Sequence, residues 1–138
     1  MIMTDEQRQF LATHRLCVLG VLAKSGPPLL SPVYYVLDGD DILISTTETR
    51  AKTPAVRRNS AVTVCVLGEA PPFPYLTVFG HGRIETEGAA GLMMRVGAVM
   101  TGAPVPESAR AAVEQRAAEE QRIVLRITPE RIAGTPAH

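Results

Sequence analysis

The 138-residue chain contains no tryptophan, only two cysteines and two lysines, and no long apolar run. Cys17 and Cys65 stand far apart and belong to no CxxC or mixed His/Cys motif. The sequence therefore predicts reduced, packed thiols and no metal site. The longest stretches without Asp, Glu, Lys or Arg cover residues 25–37 and 70–82, and both contain prolines. Because a membrane-spanning helix needs about 20 apolar residues, we expect no membrane partner.

An excess of charge of either sign is also missing. Lys and Arg together number 14, as do Asp and Glu, and the formal net charge is zero. Nucleic-acid binding depends on clustered cations that neutralise phosphates, so no nucleic-acid partner is expected. The first ten residues are polar and acidic and lack the basic and apolar regions of a secretory signal. We expect a cytoplasmic protein.

The chain has 46% hydrophobic residues in a length typical of one domain, and we treat residues 1–138 as such. A domain of this size can bury roughly 70% of its unfolded surface, which suffices for a core without disulfides.

Hydrophobic periodicity and turn residues predict six strands and four helices. Thr4 and Gln7 have the spacing of a capping box, which predicts a first helix over residues 4–14. Gly80 and Gly82 predict a bend in the fifth strand. The predicted strands cover residues 16–23, 29–37, 41–46, 61–67, 75–87 and 121–128. The other predicted helices cover residues 53–59, 88–99 and 107–120, and an irregular tail covers residues 129–138.

Short connections of the hairpin type favour an antiparallel sheet or barrel, because parallel strands need longer crossovers. The first, second and fourth strands are apolar on both faces. Tyr75, Thr77, Phe79 and His81 share one face of the fifth strand, which is expected to point outward. The simplest fold is mainly β with flanking helices: a six-stranded antiparallel barrel whose outer wall is covered by a second copy, giving a homodimer.

A basic segment after the third strand predicts an anion site. Arg50 and Lys52 precede Thr53 and Pro54, which have the pattern of a helix N-cap followed by a first-turn proline. Cations oppose the helix dipole at that end, so an anion, most simply a phosphate, is expected among them. The threonine hydroxyls at positions 46, 47 and 49 and the free amides after Thr53 would complete the site. The alternative is a solvated surface helix in which Arg50 pairs with Glu48.

Two further arginines, Arg57 and Arg58, follow on the same predicted helix. They either extend the anion site or remain solvated near the end of the helix, where the dipole favours cations. No Ser-His-Asp, HExxH or paired-carboxylate motif is present, so the sequence assigns no catalytic residue.

The order of motifs resembles the flavin and deazaflavin oxidoreductases of the pyridoxamine 5′-phosphate oxidase-like split β-barrel class. The resemblance covers residues 10–87, with a weaker one at the end in IVLRITPERIAG. Its four motifs are FLATHRLCVLGVLA, LLSPVYYVLDGDDILIST, TRAKTPAVRRNSAVTV and YLTVFGHGRIE. The RAK motif followed by RR is most similar to the branch that binds coenzyme F420, whereas other branches bind FMN.

The resemblance implies a split β-barrel homodimer with cofactor sites at the subunit interface. Arg50 and Lys52 would hold the cofactor phosphate, with Thr46 and Thr47 as hydrogen-bonding candidates. Ser31, Pro32 and Val33 on the second strand would line the cofactor ring. Arg57 or Arg58 would meet a phosphate or an acidic tail of the coenzyme.

The implied function is an F420-dependent reductase that transfers a hydride from the reduced deazaflavin to a small conjugated organic substrate. Two alternatives remain open: an FMN-dependent oxidoreductase on the same fold, and a non-catalytic dimer that carries a flavin or F420. A haem-related role finds no support in His14, His81 or His138.

Overall fold

The computed structural model describes residues 3–136. The four helices are α1 (Asp5–Thr13), α2 (Lys52–Arg58), α3 (Ala89–Thr101) and α4 (Arg110–Glu119), the last preceded by a single 3₁₀ turn over Glu107–Ala109. The seven strands are β1 (Leu16–Val21), β2 (Leu29–Tyr34), β3 (Val36–Asp38), β4 (Asp41–Thr47), β5 (Ala61–Leu67), β6 (Tyr75–Glu85) and β7 (Arg122–Thr135). The mainly β fold class is as predicted, with seven strands instead of six.

All seven strands belong to one antiparallel sheet in the order β2-β1-β5-β6-β7-β4-β3. Only Tyr35 separates β2 from β3, although these strands lie at opposite ends of that order. The sheet must therefore curl until its two edges meet at Tyr35. This single residue is why the predicted strand over residues 29–37 is two strands that pair with different neighbours, β1 and β4.

The core fills the inside of this curled sheet. Alternate residues of β1, β5 and β6 point inward, and with the inward residues of β4 and β7 they are mostly branched aliphatic side chains from which water is almost fully excluded. They include Leu19, Ile44, Val64, Leu76 and Leu125, each 0 or 1% exposed. Burial of this aliphatic set is the main force that holds the sheet closed.

The N-terminal helix α1 forms as its sequence predicts. The Thr4 side chain accepts a hydrogen bond from the Gln7 amide, and the Gln7 side chain accepts one from the Thr4 amide. Its buried residues, Phe10 and Leu11, belong to the core. The Tyr35 hydroxyl donates to the Leu11 carbonyl at 2.5 Å, so α1 is attached where the two sheet edges meet.

Helices α3 and α4 lie outside the sheet. Leu92 of α3 packs with Val36, Leu43 and Val124, which form a second, smaller core on the outer face of β3, β4 and β7. Among residues 3–136, no helix combines the length and the hydrophobicity needed to cross a bilayer.

The final strand corrects the sequence prediction. Residues 129–135 were expected to be irregular, but β7 continues to Thr135 and pairs with β6 as far as the Tyr75–Thr135 pair. The ladder shifts register between Phe79 and Gly80, which confirms the predicted bend at Gly80. A Cβ atom on Gly80 would lie 2.3 Å from the Thr128 carbonyl oxygen, so only glycine allows the two strands to approach so closely at the bulge.

The outer face of β1, β2, β5 and β6 is apolar and uncovered in a single chain. Leu16, Leu30, Leu67 and Tyr75 are 43–67% exposed there. The burial pattern of β6 places Tyr75, Thr77, Phe79 and His81 on this face, as predicted.

Candidate cofactor site

The turn between β4 and α2 is fixed by hydrogen bonds that its threonines make. The buried Thr53 hydroxyl donates to the Thr47 carbonyl at 2.6 Å. The Thr47 and Thr49 hydroxyls lie 3.1 Å apart, and the Glu48 amide donates to the Gln121 carbonyl at 2.9 Å. These hydrogen bonds constrain a segment of only a few residues. They therefore fix the backbone that carries Arg50 and Lys52.

Helix α2 begins one residue earlier than predicted. Its N-cap position is Ala51, and no side chain caps it, so the prediction of a Thr53 cap is wrong. The expected free amides are also engaged: the Thr53 amide donates to the Arg50 carbonyl, and the Ala55 amide donates to the Ala51 carbonyl. An anion at this position would therefore be held by side chains.

Lys52 is the half-buried cation of the site. Burial lowers the pKa of its ammonium group, and the neighbouring positive charge of Arg50 lowers it further. Neither Lys52 nor Arg50 forms an ion pair with another residue in the range 3–136. Two adjacent cations that repel each other without a carboxylate partner match the charge of a phosphate group.

The structure brings Lys52 together with Ser31, one of the residues predicted on the second strand. Both line a cavity of about 220 Å³ whose walls include Val21 and Leu29. Ser31 is the hydroxyl-bearing residue in the lining of this cavity, so an anion bound there could meet a charged donor and a neutral one.

The other two predicted residues of β2 open onto different spaces, because successive side chains of a strand alternate between faces. Pro32 lies on the outer face in a cleft of about 390 Å³ that it shares with Leu16 and Glu69. Val33 lies on the inner face of the strand and lines a separate cleft beneath α3. Residues 31–33 therefore connect three neighbouring cavities.

The two predicted threonines are buried: Thr46 is 4% exposed and Thr47 is 6% exposed. Arg57 binds Glu48 through two hydrogen bonds of 2.5 and 2.7 Å. The pairing of Glu48 with Arg50, considered above as an alternative, is therefore wrong. The Arg57 guanidinium lowers the pKa of the Glu48 carboxyl, and this contact already occupies both of its terminal nitrogens. Arg58 is exposed at the end of α2.

Two arginines that no sequence motif marked, Arg116 and Arg122, lie at the cleft beneath α3. Arg122 donates through Nε to Glu120 at 2.8 Å and through Nη1 to the Ser45 hydroxyl at 3.4 Å. Ser45 and Arg122 are 77 positions apart, so only the β4–β7 pairing brings them together. Neither hydrophobic periodicity nor motif spacing in the sequence predicts this contact.

His14 and His81 each contact polar groups of the fold. His14 is the C-cap residue of α1, and its ring contacts the Phe10 carbonyl at 2.7 Å. His81 lies between the Ser60 hydroxyl and Glu130. Within residues 3–136, no three His, Cys, Asp or Glu side chains form a group that could hold a metal ion. His138 lies outside the described residues, and both cysteines are free thiols.

The sequence profile of one protein family, described as pyridoxamine 5′-phosphate oxidase, matches residues 3–135. The chain belongs to this family. The match covers nearly the whole chain and includes β2, the basic turn and α2. The pyridoxamine 5′-phosphate oxidase family assignment agrees with the resemblance drawn from the sequence motifs. No curated protein matches the chain.

Solved structures of this fold align along nearly the full length of the chain. A conserved hypothetical protein from Mycobacterium tuberculosis has 20% identity and a TM-score of 0.84, with 99% of this chain and 86% of that chain covered. A protein named as an F420 reductase has 18% identity and a TM-score of 0.77, with coverage of 95% and 98%. An FAD-binding protein from Mesorhizobium loti has 18% identity and a TM-score of 0.67, with coverage of 99% and 96%. At these identities the similarity establishes the fold.

Proposed function

We propose that this member of the family is an F420-dependent oxidoreductase that reduces a small conjugated organic substrate. The observation that carries the proposal is Lys52, a half-buried cation that has no ion pair among residues 3–136, lines a cavity together with Ser31 and lies in the field of a second cation, Arg50. The similarity of the fold to an F420 reductase and to an FAD-binding protein supports a cofactor of the flavin or deazaflavin type.

In this proposal the chain binds and orients the cofactor. Lys52 and Arg50 hold its phosphate, and the buried Thr47 hydroxyl helps to fix the turn that positions them. Ser31, together with Pro32 and Val33 on the same strand, lines the ring. The coenzyme supplies hydride transfer, which no side chain provides. The chain contributes orientation of the ring and exclusion of water from it.

The uncovered outer face supports a homodimer as the binding unit. Leu30 is 67% exposed and Leu67 is 57% exposed on a face with few charges. A contiguous apolar face of this kind marks an interaction site. A second copy would bury this face and cover Pro32, so that the cofactor ring would be enclosed between two chains.

The test is a titration of the purified protein with F420 and with FMN, followed by the fluorescence or absorbance of the cofactor. Lys52→Ala is expected to weaken F420 binding at least about tenfold, because a charged hydrogen bond to phosphate contributes about 1.5–3 kcal/mol. The matched control is Lys24→Ala, which removes the only other lysine, an exposed side chain in the β1–β2 turn. The control should bind as the unmodified protein does.

Other outcomes distinguish the alternatives. Tight FMN binding with weak F420 binding would replace the proposal by the flavin-dependent one. Tight F420 binding with no reduction of any acceptor in a broad panel would indicate a carrier. Equal affinities of Lys52→Ala and Lys24→Ala would refute the anion site.

The dimer is tested by sedimentation of the unmodified protein and of Leu30→Lys. The substitution places a charge on the apolar face and is expected to convert a dimer to a monomer, because an interface core is depleted in charge. A monomer before substitution would refute the dimer.

A further inference from the structure

A second cleft lies next to the proposed cofactor site, between β2, β4, α3 and the start of β7. It encloses about 330 Å³. Its apolar walls are Val33, Met93, Val96 and Met100, and Arg116 and Arg122 stand at its polar side. We refer to it as the helix-side cleft. A cavity with apolar walls and a few convergent polar groups is the usual form of a small-molecule site.

The charge balance at this cleft is positive. Glu120 forms an ion pair with Arg122 and also lies in the electrostatic field of Arg116 and Arg50. One carboxylate therefore lies near the two guanidinium groups that line the cleft, and it is paired with Arg122. Arg116 forms no ion pair with a residue in the described part of the chain, residues 3–136. The Nη2 atom of Arg122 makes no hydrogen bond to another described residue. A carboxylate ligand would satisfy both groups, because guanidinium geometry suits it.

The apolar side of the cleft suits a flat or unsaturated hydrocarbon. Met93 is 8% exposed and forms a fixed wall, whereas Met100 is 51% exposed at the end of α3. Methionine is flexible and polarisable and makes favourable contacts with aromatic rings. A ligand that fills this cleft would therefore have an apolar body and a negatively charged end.

The position of the cleft connects it with the cofactor site. Val33 follows Ser31 by two residues on the inner side of β2, which corresponds to about 7 Å along a strand. Ser31 lines the cavity of Lys52, and Val33 lines the helix-side cleft. A molecule in this cleft would lie beside a ring held against residues 31–33.

We propose that the helix-side cleft binds the hydride acceptor and that this acceptor is an α,β-unsaturated carboxylic acid held by Arg116 and Arg122. This inference rests on the proposed function. The β-carbon of the acid accepts the hydride from reduced F420, and the electron pair of the double bond moves to the α-carbon. Water protonates that carbon, and the coenzyme is oxidised with release of one proton to solvent. The product is the saturated acid.

The first experiment measures binding without turnover. Cinnamate and its methyl ester share the same unsaturated body, but the ester carries a methyl group in place of the negative charge, and both are titrated by calorimetry into the protein without cofactor. Cinnamate is expected to bind at least about tenfold more tightly than the ester. Arg116→Gln should remove most of this difference, and Arg116→Lys should restore part of it.

The matched control is Arg110→Gln, which removes one positive charge from the same helix. Arg110 pairs with Glu107 and does not line the cleft, so this variant should retain the preference for the acid. Equal binding of acid and ester, or an equal loss in Arg116→Gln and Arg110→Gln, would overturn the proposal.

A second arm separates this inference from the proposed function. F420 is titrated into Arg116→Gln, and its affinity is expected to match that of the unmodified protein. If Arg116→Gln weakens F420 as strongly as it weakens cinnamate, the cleft binds an acidic part of the coenzyme and the acceptor assignment is wrong. If F420 fails to bind at all but cinnamate binding depends on Arg116, the acid site stands and the proposed cofactor is wrong.

Discussion

The bulge between β6 and β7 gives a stability prediction whose sign depends on the tertiary structure. Gly80→Ala and Gly91→Ala each add one methyl group to the chain. At Gly80, the new Cβ atom would lie 2.3 Å from the Thr128 carbonyl oxygen and 3.2 Å from the Pro129 Cα atom. At Gly91, the third residue of α3, it would meet no heavy atom within 4 Å.

The two substitutions therefore have opposite expected effects. The obstruction at Gly80 is backbone and cannot rotate away, so the two longest strands must separate locally. Overpacking of this kind costs about 1–3 kcal/mol. Gly91→Ala should stabilise by about 0.5–1 kcal/mol, because alanine has the higher helix propensity.

Thermal unfolding monitored by circular dichroism measures both effects. For a domain of this length, the expected shifts in Tm are about 3–10 °C downward for Gly80→Ala and about 2–4 °C upward for Gly91→Ala. All samples are compared at one protein concentration, since self-association would make Tm concentration-dependent. A Gly80→Ala variant with an unchanged or raised Tm would refute the steric account of the bulge.

Two further predictions concern the basic turn and its helix. Thr53→Val should lower the free energy of unfolding by about 1–3 kcal/mol, because it leaves the Thr47 carbonyl without its 2.6 Å hydrogen bond. The measurement is a urea titration. The control is Thr128→Val, at an exposed strand position, which should change the free energy of unfolding by less than about 0.5 kcal/mol. The folded-state pKa of Glu48 is lowered, so its contribution to stability is present above pH 4.5 and is lost as the pH falls through the folded-state pKa. Arg57→Gln should raise the Glu48 pKa toward 4.5, as followed by NMR titration, and an unchanged titration would contradict the ion pair.

Local chemistry explains the features that the sequence predicted correctly. The capping box of Thr4 and Gln7 involves residues three positions apart, so its geometry follows from the sequence. The β-branched run over Ala61–Leu67 forms a strand with the predicted bounds. Gly80 marked the bend because glycine in a strand interior commonly accompanies a bulge.

The failures share a different physical origin. Residues 29–37 form one apolar run, and nothing local shows that the sheet must close at Tyr35. Residues 129–135 contain a proline and a glycine and resemble a tail, yet β6 offers a partner along their whole length. The contact of Glu48 with Arg57 spans nine positions and depends on how α2 turns back over the preceding segment.

The sequence by itself determined the fold class, the antiparallel pairing and the basic turn at residues 50–52, because periodicity, turn residues and motif order are local properties. Only the tertiary structure decided that Lys52 shares a cavity with Ser31, that Glu48 neutralises Arg57, and that Arg116 and Arg122 line one cleft with Ser45. These relations depend on strand register and on the placement of α3 and α4 against the sheet. Both are fixed by burial of apolar surface over the whole chain, so no short segment encodes them.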